Sequence, residues 1–227
     1  MRMLAIYHKT DRARFVSHLD ILRTLHRAFR RAGLPLKYSE GFNPHPELSF
    51  ASALATGMTS DAEYFEVELA EEMDPQQFTE RVNRVLPEGL FLSGAVETPA
   101  GIKTLAAATR GAEYLIRFYP EEMVAEDTVR ETAACFLTED IFVNKRTKSG
   151  IKPVNLRSQI LKVTVDGIEK DSFSLRVLGR LQSDGGLRAE LFAGALLDRL
   201  DAHGFARIHR TGMFFDSDGS LPRLPQG

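Results

Sequence analysis

The order of strand-like and helix-like segments constrains the fold of this chain more than any other feature. In the first half, strand patterns at 3–9, 47–53, 63–70 and 90–96 are interleaved with helical patterns at 17–32 and 75–86. Roughly the same order returns later, with strands near 113–119, 141–144, 159–165, 173–180 and 205–215 and helices near 123–137 and 187–202. The order βαββαβ is typical of a split βαβ unit, in which two helices cover one face of an antiparallel sheet.

The two halves therefore predict an α+β fold of two tandem ferredoxin-like (βαββαβ) units with antiparallel sheets. The first unit covers 1–97 with a basic helix and a Pro-His-Pro loop, and a connector covers 98–111. The second unit covers 112–215 with a basic loop, and a polar tail covers 216–227. The 227 residues, 43% of them hydrophobic, can bury one large core or two small ones.

The helix predicted at 17–32 has an apolar face and a cationic face. Ser17 is the expected N-cap, and Asp20 completes a capping-box pattern. We expect Leu22 and Phe29 to be buried, in a stripe that also includes Leu25 and Ala32. Asp20 is the only acid of the helix, so most of the arginines opposite this stripe lack a partner: Arg23, Arg27 and Arg30, beside His26.

The segments on both sides of this helix extend its basic surface. Lys9, Arg12 and Arg14 precede the helix, and the free backbone N–H groups at Ser17 and His18 are a ready anion site. A phosphate group would fit there.

The loop after the helix combines aromatic rings with a constrained histidine. Tyr38 and Phe42 flank a glycine, and His45 is held extended between two prolines. Rings interleaved with cations are what stacking on unpaired bases requires. The pattern predicts single-stranded RNA as a ligand, although a solvated surface with core aromatics is the alternative.

A second basic cluster follows at 145–157, with five cations, no acid, and Gly and Pro inside. It is typical of a mobile loop or a hairpin tip. The cations are Lys145, Arg146, Lys148, Lys152 and Arg157. Further on, strand alternation places His209 with Arg207 on one face and Arg210 on the other, and we include His209 and Arg210 among the expected RNA contacts.

The net charge of −2 hides an uneven distribution. Residues 1–46, 47–97, 98–143 and 144–227 carry balances of +6, −9, −4 and +5. Basic ends around an acidic middle suggest one positive surface that is built from two distant segments. In the acidic segment, Glu66 and Glu68 share a strand face, which makes them the expected docking surface for a protein partner.

Signature motifs for catalysis and for metal binding are absent from the sequence. The six histidines form no zinc-protease motif, and the lone Cys135, expected to be a buried small hydrophobe, excludes disulfides and cysteine-built metal sites. A histidine beside a cation can still cleave RNA without metal, by removing the proton of a 2′-hydroxyl. His18 and His45 are the candidates for this role.

Five segments of the sequence resemble the radical-SAM-linked protein family, a bacterial domain of unassigned function. They are the segment from Arg14 to Asp20, the segments at 27–32 and 38–46, and later stretches at 148–157 and 208–211. The resemblance implies a separate radical S-adenosylmethionine enzyme as partner, which would hold the iron–sulfur cluster and S-adenosylmethionine; no cofactor is expected in this chain. Asn155 departs from the pattern, since an acid is expected there.

Three functions are consistent with these observations. The favoured one is a cytoplasmic RNA-binding accessory domain that presents structured RNA, such as tRNA or rRNA, to a radical S-adenosylmethionine enzyme. The second is a metal-independent endoribonuclease, since the tandem βαββαβ pattern is similar at fold level to CRISPR repeat-processing endoribonucleases. The third is a protein-interaction module that binds no nucleic acid. No apolar run is long enough to span a membrane.

Overall fold

The computed structural model describes residues 1–98, 104–147, 150–182 and 185–215, apart from the side chains at 146, 147 and 182. The chain divides into two units. The first contains Met1–Arg110 and the end of the chain from Gly212, and the second contains Gly111–Thr211. The polar tail predicted at 216–227 lies outside the described residues.

The elements of the first unit follow the predicted order. They are β1 (Arg2–Lys9), α1 (His18–Arg31), β2 (Leu48–Phe50), β3 (Thr59–Glu68), α2 (Pro75–Asn83) and β4 (Leu90–Thr98). β1 lies between β3 and β4 and is antiparallel to both, while β2 pairs with the other edge of β3. The unit therefore has the antiparallel strand order β2-β3-β1-β4.

Aromatic side chains form the centre of the first core. Phe29 of α1 is fully buried, and its ring centroid lies 5.7 Å from that of Phe65 and 6.0 Å from that of Phe78. The burial of Phe29 is confirmed. Leu22 is only half-buried, because the buried stripe of α1 passes instead through Ile21, with Leu25, Ala28 and Phe29. The expected position of the stripe was therefore wrong by one residue at its beginning.

The segment predicted to be a plain connector contains regular structure. A short helix, α3 (Leu105–Ala108), begins at Thr104, whose hydroxyl accepts a hydrogen bond from the N–H of Ala107. β5 (Thr109–Pro120) follows at once and is longer than the strand predicted at 113–119. Residues 99–103 lie outside the described part of the chain.

The second unit contains α4 (Glu126–Thr138), β6 (Phe142–Thr147), β7 (Gly150–Asn155), β8 (Ile160–Glu169), β9 (Ser172–Gln182), β10 (Gly185–Gly186), α5 (Ala189–Arg199) and most of β11 (Gly204–Phe215), whose residues from Gly212 belong to the first unit. β9 is antiparallel to β5, β8 and β10, and β11 neighbours β5. β6 and β7 form a separate two-stranded sheet. Cys135, on α4, is half-buried rather than buried.

The described residues thus combine five α-helices with a mostly antiparallel set of strands, which confirms a mixed fold of helices and sheets. The finer assignment to two ferredoxin-like units stays a prediction. Among the described residues, no helix is long and apolar enough to cross a membrane.

Candidate functional site

The first turn of α1 is fixed by side chains of its own sequence. The Ser17 hydroxyl accepts a hydrogen bond from the N–H of Asp20 at 3.2 Å and donates one to Asp20 Oδ2 at 2.7 Å. Arg23 Nη1 donates to Asp20 Oδ1 at 3.1 Å. The hydrogen bonds from Ser17 and then Arg23 hold the pKa of Asp20 below its usual value. The predicted N-cap is confirmed, and the charge of Arg23 is partly neutralised.

Arg23, Arg27 and Arg30 form an exposed row on α1, which we call the arginine row. Their spacings of four and three residues place them on one side of the helix. Arg27 and Arg30 form no salt bridge within the described part of the chain. Arg27 and Arg30 thus make no direct ion pair in the described structure, while the charge of Arg27 also helps to lower the pKa of Asp20.

The other end of α1 is held by α2. Arg81 donates from Nε and Nη2 to the carbonyl of Ala32, at 3.0 and 2.6 Å, and from Nη2 to the carbonyl of Gly33 at 2.7 Å. Gly33 has φ of +61°, and a Cβ there would lie 3.0 Å from Nη2 of Arg81. The guanidinium of Arg31 also donates to the carbonyl of Val85. The arginine row consequently lies on a helix that is tied at both ends.

Hydrogen bonds close the Pro-His-Pro loop, residues 38–46. The N–H of Ser39 donates to the His45 carbonyl at 2.9 Å, and the N–H of His45 donates to the Ser39 hydroxyl at 3.2 Å. Tyr38 pairs with Pro46 in an isolated antiparallel bridge. Phe42, near the tip, is fully exposed, and 40% of Tyr38 is exposed. The closed loop presents both rings to solvent.

The imidazole of His45 is oriented by this loop. Its Nδ1 lies 3.0 Å from the Ser39 hydroxyl and 3.3 Å from the carbonyl of Asn43. Because the carbonyl can only accept, Nδ1 carries the proton in that contact, and Nε2 is the nitrogen left for a ligand.

Charges from both the loop and the arginine row act on the imidazole of His26. Its Nε2 is buried and has no hydrogen-bond partner among the described residues. Burial, followed by the positive charges of Arg30 and His45, lowers the pKa of His26. Both Arg30 and His45 therefore act electrostatically on the same imidazole.

Two residues expected to contact RNA are instead buried. Lys9 is 1% exposed, and its ammonium donates to the carbonyl of Val16 at 3.0 Å. Burial lowers the pKa of Lys9, and the nearby Glu63 opposes that shift. Arg210 is 3% exposed, and its Nη2 donates to the Tyr114 hydroxyl at 3.2 Å. The surface roles expected for Lys9 and Arg210 do not fit this burial.

The expected docking surface at Glu66 and Glu68 is also not a free acidic face. Glu66 is buried, and its Oε2 accepts a hydrogen bond from the N–H of Leu105 at 3.4 Å. Glu68 accepts from Lys37 at 3.0 Å and from Arg2 at 3.5 Å. The first carboxylate is covered by its own chain and the second is ion-paired, so the docking expectation does not fit the structure.

The arginines that precede α1 are engaged in ion pairs. Arg12 donates to Glu88 at 2.8 Å, and Arg14 pairs with Asp11 at 2.6 Å. His18 is half-buried, with its ring centroid 4.6 Å from that of Phe50. Burial, and then the charge of Lys9, lowers the pKa of His18. These contacts make His18 a weaker ligand candidate than the exposed His45.

The second basic cluster lies largely on the paired strands of the β6–β7 hairpin, whereas a mobile loop or a hairpin tip was expected, and the tip at 148–149 lies outside the described residues. Lys145 lies directly opposite Lys152 in the register. The Arg157 guanidinium donates to the carbonyl of Ile160 at 3.3 Å. Lys148 and the side chain of Arg146 lie outside the described residues. His209, on β11, is half-buried.

Sequence reasoning missed two exposed apolar side chains near the start of α1. Phe15 is 78% exposed, and Leu19 is 60% exposed. A signal for Leu19 existed, because it lies four residues before Arg23 and so shares the side of the arginine row. No periodic pattern includes Phe15. Among the described residues, no group of three or more His, Cys, Asp or Glu side chains is arranged to hold a metal ion.

A protein-family model matches residues 2–188, most of the chain. The chain belongs to DUF2344. This family is described as an uncharacterized protein conserved in bacteria, which agrees with the bacterial family expected from the sequence as far as that description goes. The link of the DUF2344 chain to radical S-adenosylmethionine enzymes stays a prediction. No curated protein matches the chain in sequence.

Two of the solved structures similar to this DUF2344 chain come from a Cbf5-Nop10-Gar1 complex and from an H/ACA RNP. The chain is 12% identical to one from a Cbf5-Nop10-Gar1 complex, with a TM-score of 0.52, covering 96% of this chain and 51% of that one. A chain from an H/ACA RNP bound to a substrate RNA containing 2′-deoxyuridine gives 12% identity, a TM-score of 0.51 and coverages of 96% and 50%. The DUF2344 chain thus spans about half the length of these relatives, and the likeness concerns the fold alone.

Proposed function

We propose that the first unit of this protein binds RNA, with the arginine row on the phosphate backbone and the Pro-His-Pro loop stacked on unpaired bases. The observation that carries this proposal is the fully exposed ring of Phe42 on the hydrogen-bonded loop that follows the helix of the arginine row. Bases stack on such rings, while guanidinium groups pair with phosphate oxygens.

The positive charges of the arginine row favour the binding of a polyanion. Arg27 and Arg30 are exposed without a salt bridge among the described residues, and the positive charge of Arg30 adds to burial in lowering the pKa of His26. Asp20 offsets only part of the positive charge of the row, so a bound phosphate would lower the electrostatic free energy of this surface. Single exposed apolar residues are ordinary, but here Leu19 lies on the side of the row and Phe42 lies on the loop that follows the same helix.

The RNA-containing assembly among the similar structures supports this choice of ligand. In the finer form of the proposal, the protein presents structured RNA, such as tRNA or rRNA, to a radical S-adenosylmethionine enzyme. The sequence resemblance supports that partner. A chain with one cysteine lacks the thiolates for an iron–sulfur cluster, so the partner would supply it together with S-adenosylmethionine.

Copurified nucleic acid tests the proposal directly. The purified wild-type protein should show a raised ratio of nucleic-acid absorbance to protein absorbance in the ultraviolet. Crosslinking followed by sequencing should recover discrete RNAs. The Arg27→Ala, Phe42→Ala double variant should lose both signals while it keeps the wild-type circular dichroism spectrum. Equal recovery of RNA by the two proteins would contradict the proposal.

The fixed imidazole of His45 favours a second candidate, the metal-independent endoribonuclease. With Nδ1 engaged by Ser39 and Asn43, Nε2 is the nitrogen that could take the proton of a 2′-hydroxyl. Incubation of the protein with labelled RNA in EDTA separates the two functions, because binding alone leaves the RNA intact.

A further inference from the structure

The β6–β7 hairpin of the second unit holds two lysines in direct opposition. The antiparallel register pairs Lys145 with Lys152, and neither strand pairs with any other strand of the described chain. Lys152 is exposed and Lys145 is half-buried. From Phe142 to Gln159 the sequence contains no Asp or Glu.

This arrangement is unfavourable for an isolated hairpin. Like charges directly opposite each other destabilise an antiparallel pair, and a two-stranded sheet alone is marginally stable. Neither lysine forms a salt bridge in the described part of the chain. The free protein therefore retains a repulsion that a bound anion would remove.

The base of the hairpin is nevertheless well tied. Asn155 Oδ1 accepts hydrogen bonds from the N–H groups of Ile141 at 3.1 Å and Arg157 at 3.0 Å. Its Nδ2 donates to Asp140 Oδ1 at 2.6 Å. An acid at position 155 would lack this donor and would face Asp140 with a like charge. The amide thus holds the two lysines on a fixed base.

We propose that the β6–β7 hairpin is a second RNA contact, which binds the phosphate backbone through Lys145 and Lys152 without reading the sequence. The inference rests on the proposed function. A lysine ammonium is a point charge that suits phosphate, and phosphate contacts carry no direct sequence information. The first unit then supplies the base stacking and this hairpin supplies sequence-independent affinity.

Reversing the charge of one lysine should stabilise the hairpin but weaken RNA binding. In Lys152→Glu, the new carboxylate faces Lys145, so amide hydrogen exchange in β6 and β7 should slow. Binding to fluorescein-labelled oligo(A) and oligo(U) should weaken by the same factor on both probes, roughly threefold to tenfold. The salt slope of binding should fall by about 0.7 or more, the value for one lost phosphate contact on a single strand.

Lys162→Glu on β8 is the charge-matched control, because Lys162 is also exposed in the second unit but lies outside the hairpin. It should leave both affinities near wild type. The Lys145→Gln, Lys152→Gln double variant removes the repulsion without a new ion pair and should weaken binding similarly.

Two results would overturn the inference in distinguishable ways. If Lys152→Glu binds both probes with the wild-type affinity and salt slope while Phe42→Ala still weakens binding, the hairpin is excluded and the proposed function stands. If the wild-type protein binds neither probe at low salt, both the proposed function and the hairpin contact are contradicted.

Discussion

Ser39 and His45 hold each other across the neck of an otherwise exposed loop, with the hydroxyl 3.0 Å from Nδ1 and 3.2 Å from the backbone nitrogen of His45. The pair closes the segment that carries Phe42. Order in this loop is therefore set by a side chain that need not touch the ligand itself.

Removal of the Ser39 hydroxyl should weaken RNA binding. A hydrogen bond of this kind contributes about 1 kcal/mol, so Ser39→Ala should raise the Kd for oligo(U) roughly fivefold. Anisotropy titration measures the change, and Ser52→Ala, at another exposed hydroxyl of the same unit, is the control. In EDTA the wild type should leave RNA intact; metal-free cleavage that disappears in His45→Ala would make the protein an enzyme.

Truncation of Phe42 should separate binding from stability. The ring is fully exposed, so Phe42→Ala should change the free energy of unfolding by less than about 0.5 kcal/mol. Loss of one stacked base should cost about 1–3 kcal/mol of binding to single-stranded RNA, and little on a duplex of equal length. Met123→Ala, at an exposed apolar side chain of the second unit, should alter neither affinity.

Arg27→Ala should reduce the salt dependence of binding. Loss of one phosphate contact on single-stranded RNA lowers the slope of log K against log salt by about 0.7. Arg84→Ala is the matched control, since Arg84 is exposed in the same unit and lies 3.9 Å from Glu80. Equal salt slopes for the wild type and Arg27→Ala would show that Arg27 does not contact the RNA phosphates.

The buried ring of Phe29 should dominate the stability of the first unit. Phe29→Ala deletes a side chain in contact with two other aromatic rings, and such deletions cost about 3–5 kcal/mol. Urea unfolding followed by circular dichroism measures the loss. Leu19→Ala removes an apolar side chain from the exposed face of the same helix and should shift the midpoint little.

Glu66 and Glu68 should give pH dependences of opposite sign. Burial raises the pKa of Glu66 in the folded protein, so ionised Glu66 disfavours the fold, and Glu66→Gln should stabilise it at neutral pH. This gain should vanish as the pH falls through the raised pKa towards the unfolded value.

For Glu68, the hydrogen bond from Lys37 lowers the pKa in the folded protein. Glu68→Gln should therefore destabilise the protein above the unfolded pKa, and the loss should vanish as the pH falls through the lowered folded pKa. Urea midpoints of both variants and the wild type between about pH 4 and pH 8 provide the measurement. A parallel response of the two variants would contradict the burial of Glu66.

Local sequence was a reliable guide where local contacts decide the structure. The Ser17 cap, the helix that follows it and the exposure of Arg27 all depend on neighbours within four residues, and each was predicted correctly. The burial of Lys9 and Glu66 could not be predicted, because the groups that cover them lie on other elements: the carbonyl of Val16 and the N–H of Leu105.

Strand β7 was missed for a similar reason. Its sequence contains Gly150, Lys152 and Pro153, which lower its strand propensity, and only the pairing with β6 makes it a strand. The stripe of α1 was misplaced at Ile21 because adjacent apolar residues at 21 and 22 fit a helical period almost equally well.

The guanidinium of Arg81 on the last carbonyls of α1 changes the electric field of that helix as well as its shape. A bare helix has a negative carboxyl end, which would repel a phosphate chain near Arg30. With a cation bonded to the carbonyls of Ala32 and Gly33, that end no longer opposes the side chains. If RNA follows the arginine row as proposed, the carboxyl end of α1 should therefore add no repulsion to the phosphates near Arg30.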